Sequence, residues 1–199
     1  MPISKFQPCI PTRGTKVSAG PDWLHEIKHD GFRMIVQRDS TRVRLFSRNG
    51  HDWSGRYPSI LDAARRLRQR HFVIDGEAVV LGVDGISDFP SLYSRKHDEE
   101  VLFYAFEGDD MRALPLSIRK ANLARLLSRR TDGIFIAPLE QGEIGPDLFH
   151  AACNMGLEGL VSKHRDRSYR AGRSPHWVKV KNPASPAMRR AQDVDWSRR

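Results

Sequence analysis

Residues 26–47 read EIKHDGFRMIVQRDSTRVRLFS, and the part from Phe32 onward sets the fold. Apolar and polar side chains alternate through FRMIVQRD and again through VRLFS, with the turn-forming DST between them. A period of two belongs to a strand with one buried face, so the stretch predicts a β-hairpin over 32–47. The preceding EIKHDG is then an extended segment running straight into a strand, and it carries Lys28. A lone lysine beside an aspartate is far more often a surface ion pair than a nucleophile, so the meaning of Lys28 depends on the rest of the chain.

Outward from the hairpin, PSILDAARRLRQR (58–70) places Ile60, Leu61, Ala64 and Leu67 on one helical face. Its arginines take the other face, as a solvated surface or a nucleic-acid contact. HFVIDGEAVVLG (71–82) is a β-branched run that holds Asp75, Gly76 and Glu77 inside it, and the turn signal VDGIS follows. EVLFYAF (100–106) reads as a strand. LSIRKANLARLLSRR (116–130) reads as an amphipathic helix capped by Ser117. GPDLFHAACNMG predicts a helix from near Pro146 to Gly156, and LEGLVSKH and HWVKVKN alternate like strands. Strict strand–helix alternation is absent, which points to an α+β domain. Residues 1–20 predict an extended N-terminal segment, 21–183 the domain, and 184–199 a loose basic C-terminal tail.

An apolar fraction of 39% beside 29% charged residues describes a globular chain and excludes disorder. No stretch approaches the roughly 20 apolar residues of a membrane span and the N-terminus lacks an apolar signal core, so no membrane association and a cytoplasmic location are expected. Cys9 and Cys153 are too few for a disulfide framework or thiolate metal cage. The eight histidines are scattered; His25 and His29 have i, i+4 spacing but flank an extended segment, so all are read as ordinary polar residues. With 33 basic against 24 acidic residues the net charge is +9, which favours a polyanionic partner.

The chemistry lies in an ordered set: Lys28 with Asp30, Gly31 and Arg33; SRNG at 47–50; DGEAV at 75–79; FYAF at 103–106; EGLVSK at 158–163; and WVKVK at 177–181. This set resembles the covalent nucleotidyltransferase superfamily. Within it, YRAGRSPHWVKVKN and the PLSIRK helix start are most similar to bacterial ATP-dependent DNA ligases, in particular the ligase domain of multi-domain end-joining repair proteins. The resemblance covers about 21–183. It implies an adenylation-domain fold of mixed, mainly antiparallel sheets with flanking helices. It also implies that Lys28 attacks the α-phosphate of ATP, keeps AMP as a phosphoramidate, and passes it to the 5′-phosphate of nicked or broken double-stranded DNA in repair or recombination.

The same resemblance implies the other roles. Glu26 lies next to the adenine, Ile27 and Arg173 contact the nucleotide, and Arg33 and Arg48 contact the ribose and the nucleic-acid or nucleotide phosphate. Glu77 binds ribose or metal-bound water, its alternative being an exposed acid on an edge strand. Phe106 stacks on adenine or simply packs in the core. Glu158 associates with Mg²⁺ or Mn²⁺. Lys179 and Lys181, two apart on a strand, share a face from which both reach the α-phosphate.

Two departures from the family pattern bear on activity. Seventeen residues follow Asn182, too few for the OB-fold domain that usually comes next, so a core without that barrel is expected, with a protein partner as one source of DNA clamping. Glu107 and Gly108 follow Phe106 at once, where related ligases have an aspartate and a longer apolar strand, which implies a deletion. Two alternatives therefore stand beside the ligase reading. One is a non-catalytic or partly active DNA-binding remnant. The other, within enzymes, is an RNA ligase or capping guanylyltransferase that shares the lysine motif.

Overall fold

The computed structural model describes residues 6–108, 112–129 and 132–190. Its strands are β1 (Cys9–Arg13), β2 (Trp23–Ile27), β3 (Phe32–Asp39), β4 (Arg42–Ser47), β5 (His71–Val79), β6 (Leu102–Gly108), β7 (Ile134–Ile136), β8 (Leu139–Gln141), β9 (Gly159–His164) and β10 (Gly172–Lys181). Its helices are α1 (Pro58–Arg66), α2 (Phe89–Ser94), α3 (Leu116–Leu126) and α4 (Gly145–Asn154). The strands form two five-stranded sheets, ordered β1-β10-β9-β2-β8 and β4-β3-β5-β6-β7. The β1–β10 and β6–β7 pairs are parallel and the others antiparallel, so the fold is the expected α+β arrangement of mixed, mainly antiparallel sheets. Among the described residues no helix is long and apolar enough to cross a membrane, and no separate OB barrel accompanies the two sheets.

The hairpin at 32–47 forms as its alternation predicts, with Asp39 opposite Arg42 and Ser40 in the turn at φ 56°. Met34, Val36, Val43 and Leu45 point into the main core, where α1 adds Ile60, Leu61 and Ala64, and Leu67 follows the helix. The arginines of α1 lie in solvent, which is the solvated reading of that face. Side chains as large as Phe103 and Leu123 are fully buried there, each contributing about 2 kcal/mol of hydrophobic transfer.

Several local expectations change. β1 lies inside the stretch read as an N-terminal segment, and it joins the first sheet beside β10. Its partner lies about 160 positions away, so nothing local announces it. α3 is capped at Pro115 rather than by the Ser117 side chain; the N–H groups of Leu116 and Ser117 instead donate to the carbonyls of Arg167 and Arg165. The stretch read as a loose tail begins with a helical turn at 186–190, where Arg190 pairs with Asp30 and lies 4.6 Å from the Phe89 ring centroid. β6 continues through Glu107 and Gly108, and the Glu107 carboxylate is buried against Arg119. The remainder of the segment implied to be shortened, 109–111, lies outside the described residues. So do 1–5 of the N-terminal segment, 130 of the helix predicted over 116–130, and the tail from 191 onward.

Candidate active site

β2 ends at Ile27 and the chain leaves the first sheet carrying Lys28, whose N–H donates to the Gly159 carbonyl at 2.9 Å. Gly31 lets this loop pass against β5, since a Cβ there would stand 2.2 Å from the Ala78 carbonyl oxygen. Gly159 has φ 141°, and a Cβ on it would meet the Val180 oxygen at 2.1 Å. The start of β9 therefore sits tightly against the end of β10, which sets Glu158 beside Lys181 and Lys28. Lys28 Nζ donates to Glu158 Oε2 at 2.6 Å, and Lys181 Nζ lies 2.8 Å from Oε1. Glu158 is buried, and both its oxygens face ammonium groups.

Beside this pair opens a cavity of about 160 Å³. Glu26, Ile27, Lys28, Arg33, Arg48, Glu77, Phe106 and Lys179 all contribute to its wall, so the structure brings together eight residues that the sequence scattered over more than 150 positions. Three others stand apart from the wall: Glu158 and Lys181 are paired beside it, and Arg173 is exposed on β10 opposite Ile10.

Glu26 faces inward from β2 and is 3% exposed. Its carboxylate receives Lys163 Nζ at 2.8 Å on one oxygen and Lys120 on the other. Burial alone would raise its pKa, but the two ammonium groups outweigh that and hold it below the usual carboxylate range. Lys163 is driven the other way: burial lowers it to about 8 despite Glu26. Its Nζ lies 4.3 Å and 4.1 Å from the ring centroids of Phe106 and Trp177. Phe106 lines the cavity and packs against Trp177, with 6.3 Å between centroids and 76° between planes.

Arg33 donates from Nε and Nη2 to the two oxygens of Asp75, at 2.9 and 2.6 Å. Tyr169 donates to the same carboxylate at 2.8 Å and accepts the Cys9 N–H at 2.6 Å, so β1 braces the arginine through two side chains. The guanidinium lies 5.2 Å from the Phe106 centroid. Glu77 sits directly across from Arg33 in the β3–β5 register, and burial pushes it up to about 7 against the pull of Lys28 and Arg33. Lys179 is lowered, first by burial and then by the charges of Lys28, Lys181 and Arg48.

Sequence reasoning did not assign Ile10, Pro11, His29, Ala137, Val161 or Trp177 to the cavity wall. Trp177 stood inside a quoted motif, whereas Ile10 and Pro11 had no periodicity to mark them. Lys120 carried a usable signal: it interrupts the buried stripe of α3 between Leu116 and Leu123.

Comparison with known proteins follows the same lines. The family described as the ATP dependent DNA ligase domain matches residues 11–181. The multifunctional non-homologous end joining protein LigD of Pseudomonas aeruginosa is 36% identical over 168 residues, which cover 80% of this chain and 20% of that protein. The corresponding DNA repair protein LigD of Mycobacterium tuberculosis is 36% identical over 186 residues, 90% of this chain and 24% of that one. Among solved structures, a mycobacterial DNA ligase D complexed with ATP and MES superposes with a TM-score of 0.77 at 31% identity, over 91% of this chain and 62% of the other. The ligase domain of M. tuberculosis LigD gives 0.78 at 30%, over 91% and 61%. The chain thus spans about a fifth to a quarter of these curated relatives and about three fifths of the solved chains. With its two sheets and its lysine-centred cavity, the chain belongs to the ATP-dependent DNA ligase domain family.

Proposed function

We propose that the chain is the adenylation unit of an end-joining type DNA ligase, with Lys28 as the nucleophile that takes AMP from ATP. The observation that carries this is the position of Lys28 Nζ, 2.6 Å from Glu158 at the edge of the cavity and one residue beyond the strand that presents Glu26. The Lys28 ammonium first gives up a proton, the freed amine attacks the α-phosphorus, a P–N bond forms, and the bond to the bridging oxygen breaks so that pyrophosphate leaves. Glu158, hydrogen-bonded to the amine, is placed to hold the proton released. The positive charge of Lys179 suits the oxygens of the α-phosphate, while Lys181 fixes Glu158. AMP then passes to a DNA 5′-phosphate, and a 3′-hydroxyl displaces it to close the phosphodiester.

Adenine fits the wall made by Glu26, Ile27 and Phe106, where ring stacking contributes about 1 kcal/mol or more. Arg33, Arg48 and Glu77 stand where ribose would lie. Arg173, exposed and off the wall, has no nucleotide contact in this reading. Among the described residues no three His, Cys, Asp or Glu side chains converge as a metal cage. Glu77, on the cavity wall, would hold a divalent ion as a hard oxygen donor, and Glu158 would join it only with an oxygen released by Lys28 or Lys181; water and phosphate oxygens would fill the other positions, which suits Mg²⁺ or Mn²⁺. Such an ion would supply charge neutralisation at the phosphates.

Incubation with α-labelled ATP and Mg²⁺ is expected to label the wild-type chain and not Lys28→Ala. A wild type that stays unlabelled while binding nicked DNA would overturn the reading in favour of a non-catalytic DNA-binding unit. Competition by unlabelled GTP as effective as that by ATP would overturn the adenylate assignment.

A further inference from the structure

The register of the second sheet sets Arg33 opposite Glu77, Glu77 opposite Tyr104, and Tyr104 opposite Phe135. Paired positions on neighbouring strands share a face, so these four side chains form one row across β3, β5, β6 and β7. The inner half, Arg33 and Glu77, lines the cavity with Lys28. The outer half is aromatic and leads away from it.

His29, the residue after the nucleophile, lies on Tyr104 with ring centroids 4.5 Å apart and planes 24° apart. Tyr104 meets Phe135 at 5.8 Å and 30°. Burial and the neighbouring Lys28 hold the His29 pKa down to about 4, so the imidazole is a neutral ring that adds no charge beside the nucleophile. β7 is the edge strand; Ile134 supplies its contact with the main core, whereas Phe135 is 42% exposed. Core packing therefore gives no reason for a phenyl ring at 135.

We propose that Tyr104 and Phe135 seat the base of the nucleotide whose 5′-phosphate accepts AMP. This rests on the adenylyl-transfer reading above. The occupant of the row has to present a phosphate to Lys28 at one end and a flat apolar face to two rings at the other, and a nucleotide does both. Strands stand about 4.8 Å apart, so Phe135 lies about 10 Å from Glu77, within the span of one nucleotide. A ring platform accepts any base because every base has a π-face, which suits joining ends of arbitrary sequence. The net charge of +9 favours the same polyanion.

The test uses the full chain and a nicked duplex carrying a 5′-phosphate, with 2-aminopurine as the 5′-terminal base at the nick. Phe135→Ala is expected to weaken binding about tenfold, the size of one lost base–aromatic contact, and to relieve the fluorescence quenching that the wild type produces. Phe135→Trp restores both, 2-aminopurine inside the duplex reports no difference, and Lys28 labelling by ATP stays normal in every variant. Equal binding and quenching by wild type and Phe135→Ala overturns the proposal, as does a loss that Phe135→Trp does not recover. The binding arm needs no ATP, so failure of Lys28 labelling in the wild type overturns the adenylyl-transfer reading separately.

Discussion

The two sheets have the same number of strands and opposite interiors. Behind the second, Met34, Val36, Leu45, Ile74, Ala78, Phe103 and Ala105 join the helices in one large apolar cluster. Among the described residues the first has a small cluster of Cys9, Tyr169 and Trp177 besides the buried Leu24, Leu160 and Val180, and it buries His25, Glu26, Glu158, Ser162, Lys163 and Ser174. Hydrophobic burial is non-directional and tolerates similar shapes, whereas buried charge holds only with specific partners at specific distances. The second sheet is thus the rigid body of the domain. The first spends stability on holding charges at fixed positions beside the cavity. The cavity is lined by both.

The largest expected effect tests the apolar side. Phe103→Ala opens a void behind β6 and is expected to cost about 4 kcal/mol, read as a lowered midpoint in urea. A loss under 1 kcal/mol would mean that the second sheet is not the stability-bearing half.

Glu26→Ala tests the charged side. It leaves Lys120 and Lys163 buried without their shared carboxylate, at a cost of about 3 kcal/mol at pH 7. Lys163 already has a folded pKa of about 8, below its free value, so the unfolded chain binds more protons above that pH and stability rises toward pH 10. Without Glu26 this pKa falls further, so the folded variant sheds the Lys163 proton at lower pH than the folded wild type, and the penalty of the variant should shrink as pH rises to about 8 and change little above it. Replacing all three residues by Leu, Met and Met is expected to recover the midpoint but not ATP labelling. A triple variant as unstable as Glu26→Ala would show that packing, not charge, was lost.

These contrasts also explain what was legible in the sequence. The second sheet announces itself because one buried face imposes alternation, as in 32–47, and because α1 buries its apolar stripe. Glu26, Lys28, Glu77, Glu158 and Lys179 were named through the order of motifs, since types and order survive in one dimension. Their contacts were not legible: Lys28 and Glu158 stand 130 positions apart, and β1 finds β10 across most of the chain. Three-residue strands such as β7 and β8 are too short to show a period. Arg173 shows the converse, a motif position that the fold leaves in solvent.

Glu77 sits where the two interiors meet, a carboxylate on the apolar sheet. Its pKa is raised from the free value to about 7, so between about pH 4.5 and 7 the folded state binds more protons than the unfolded state. Stability contributed by the neutral form is full below that window and is lost as pH rises through 7. Glu77→Gln is therefore expected to be more stable than wild type at pH 8 by about 2 kcal/mol, and equal to it near pH 4.5. Wild-type labelling should climb through pH 7 as the carboxylate forms, and the variant should stay inactive throughout. A midpoint difference that does not change with pH would contradict the assigned burial cost.

The smallest expected effect falls on the brace between the sheets. Tyr169 on the first-sheet side joins the Cys9 N–H to Asp75 and so to Arg33 on the second. Tyr169→Phe keeps the ring against Trp177 but leaves a buried N–H and a carboxylate oxygen each one partner short, a loss of about 1 kcal/mol. Arg33 retains both bonds to Asp75, so the ammonium geometry at Lys28 is untouched and the maximal rate of labelling should hold. The ATP concentration at half-maximal labelling should rise about threefold, because the guanidinium facing Phe106 is less firmly set. A fall in the maximal rate instead would mean that the brace acts on the nucleophile, and that the two sheets are coupled through more than the wall of the cavity.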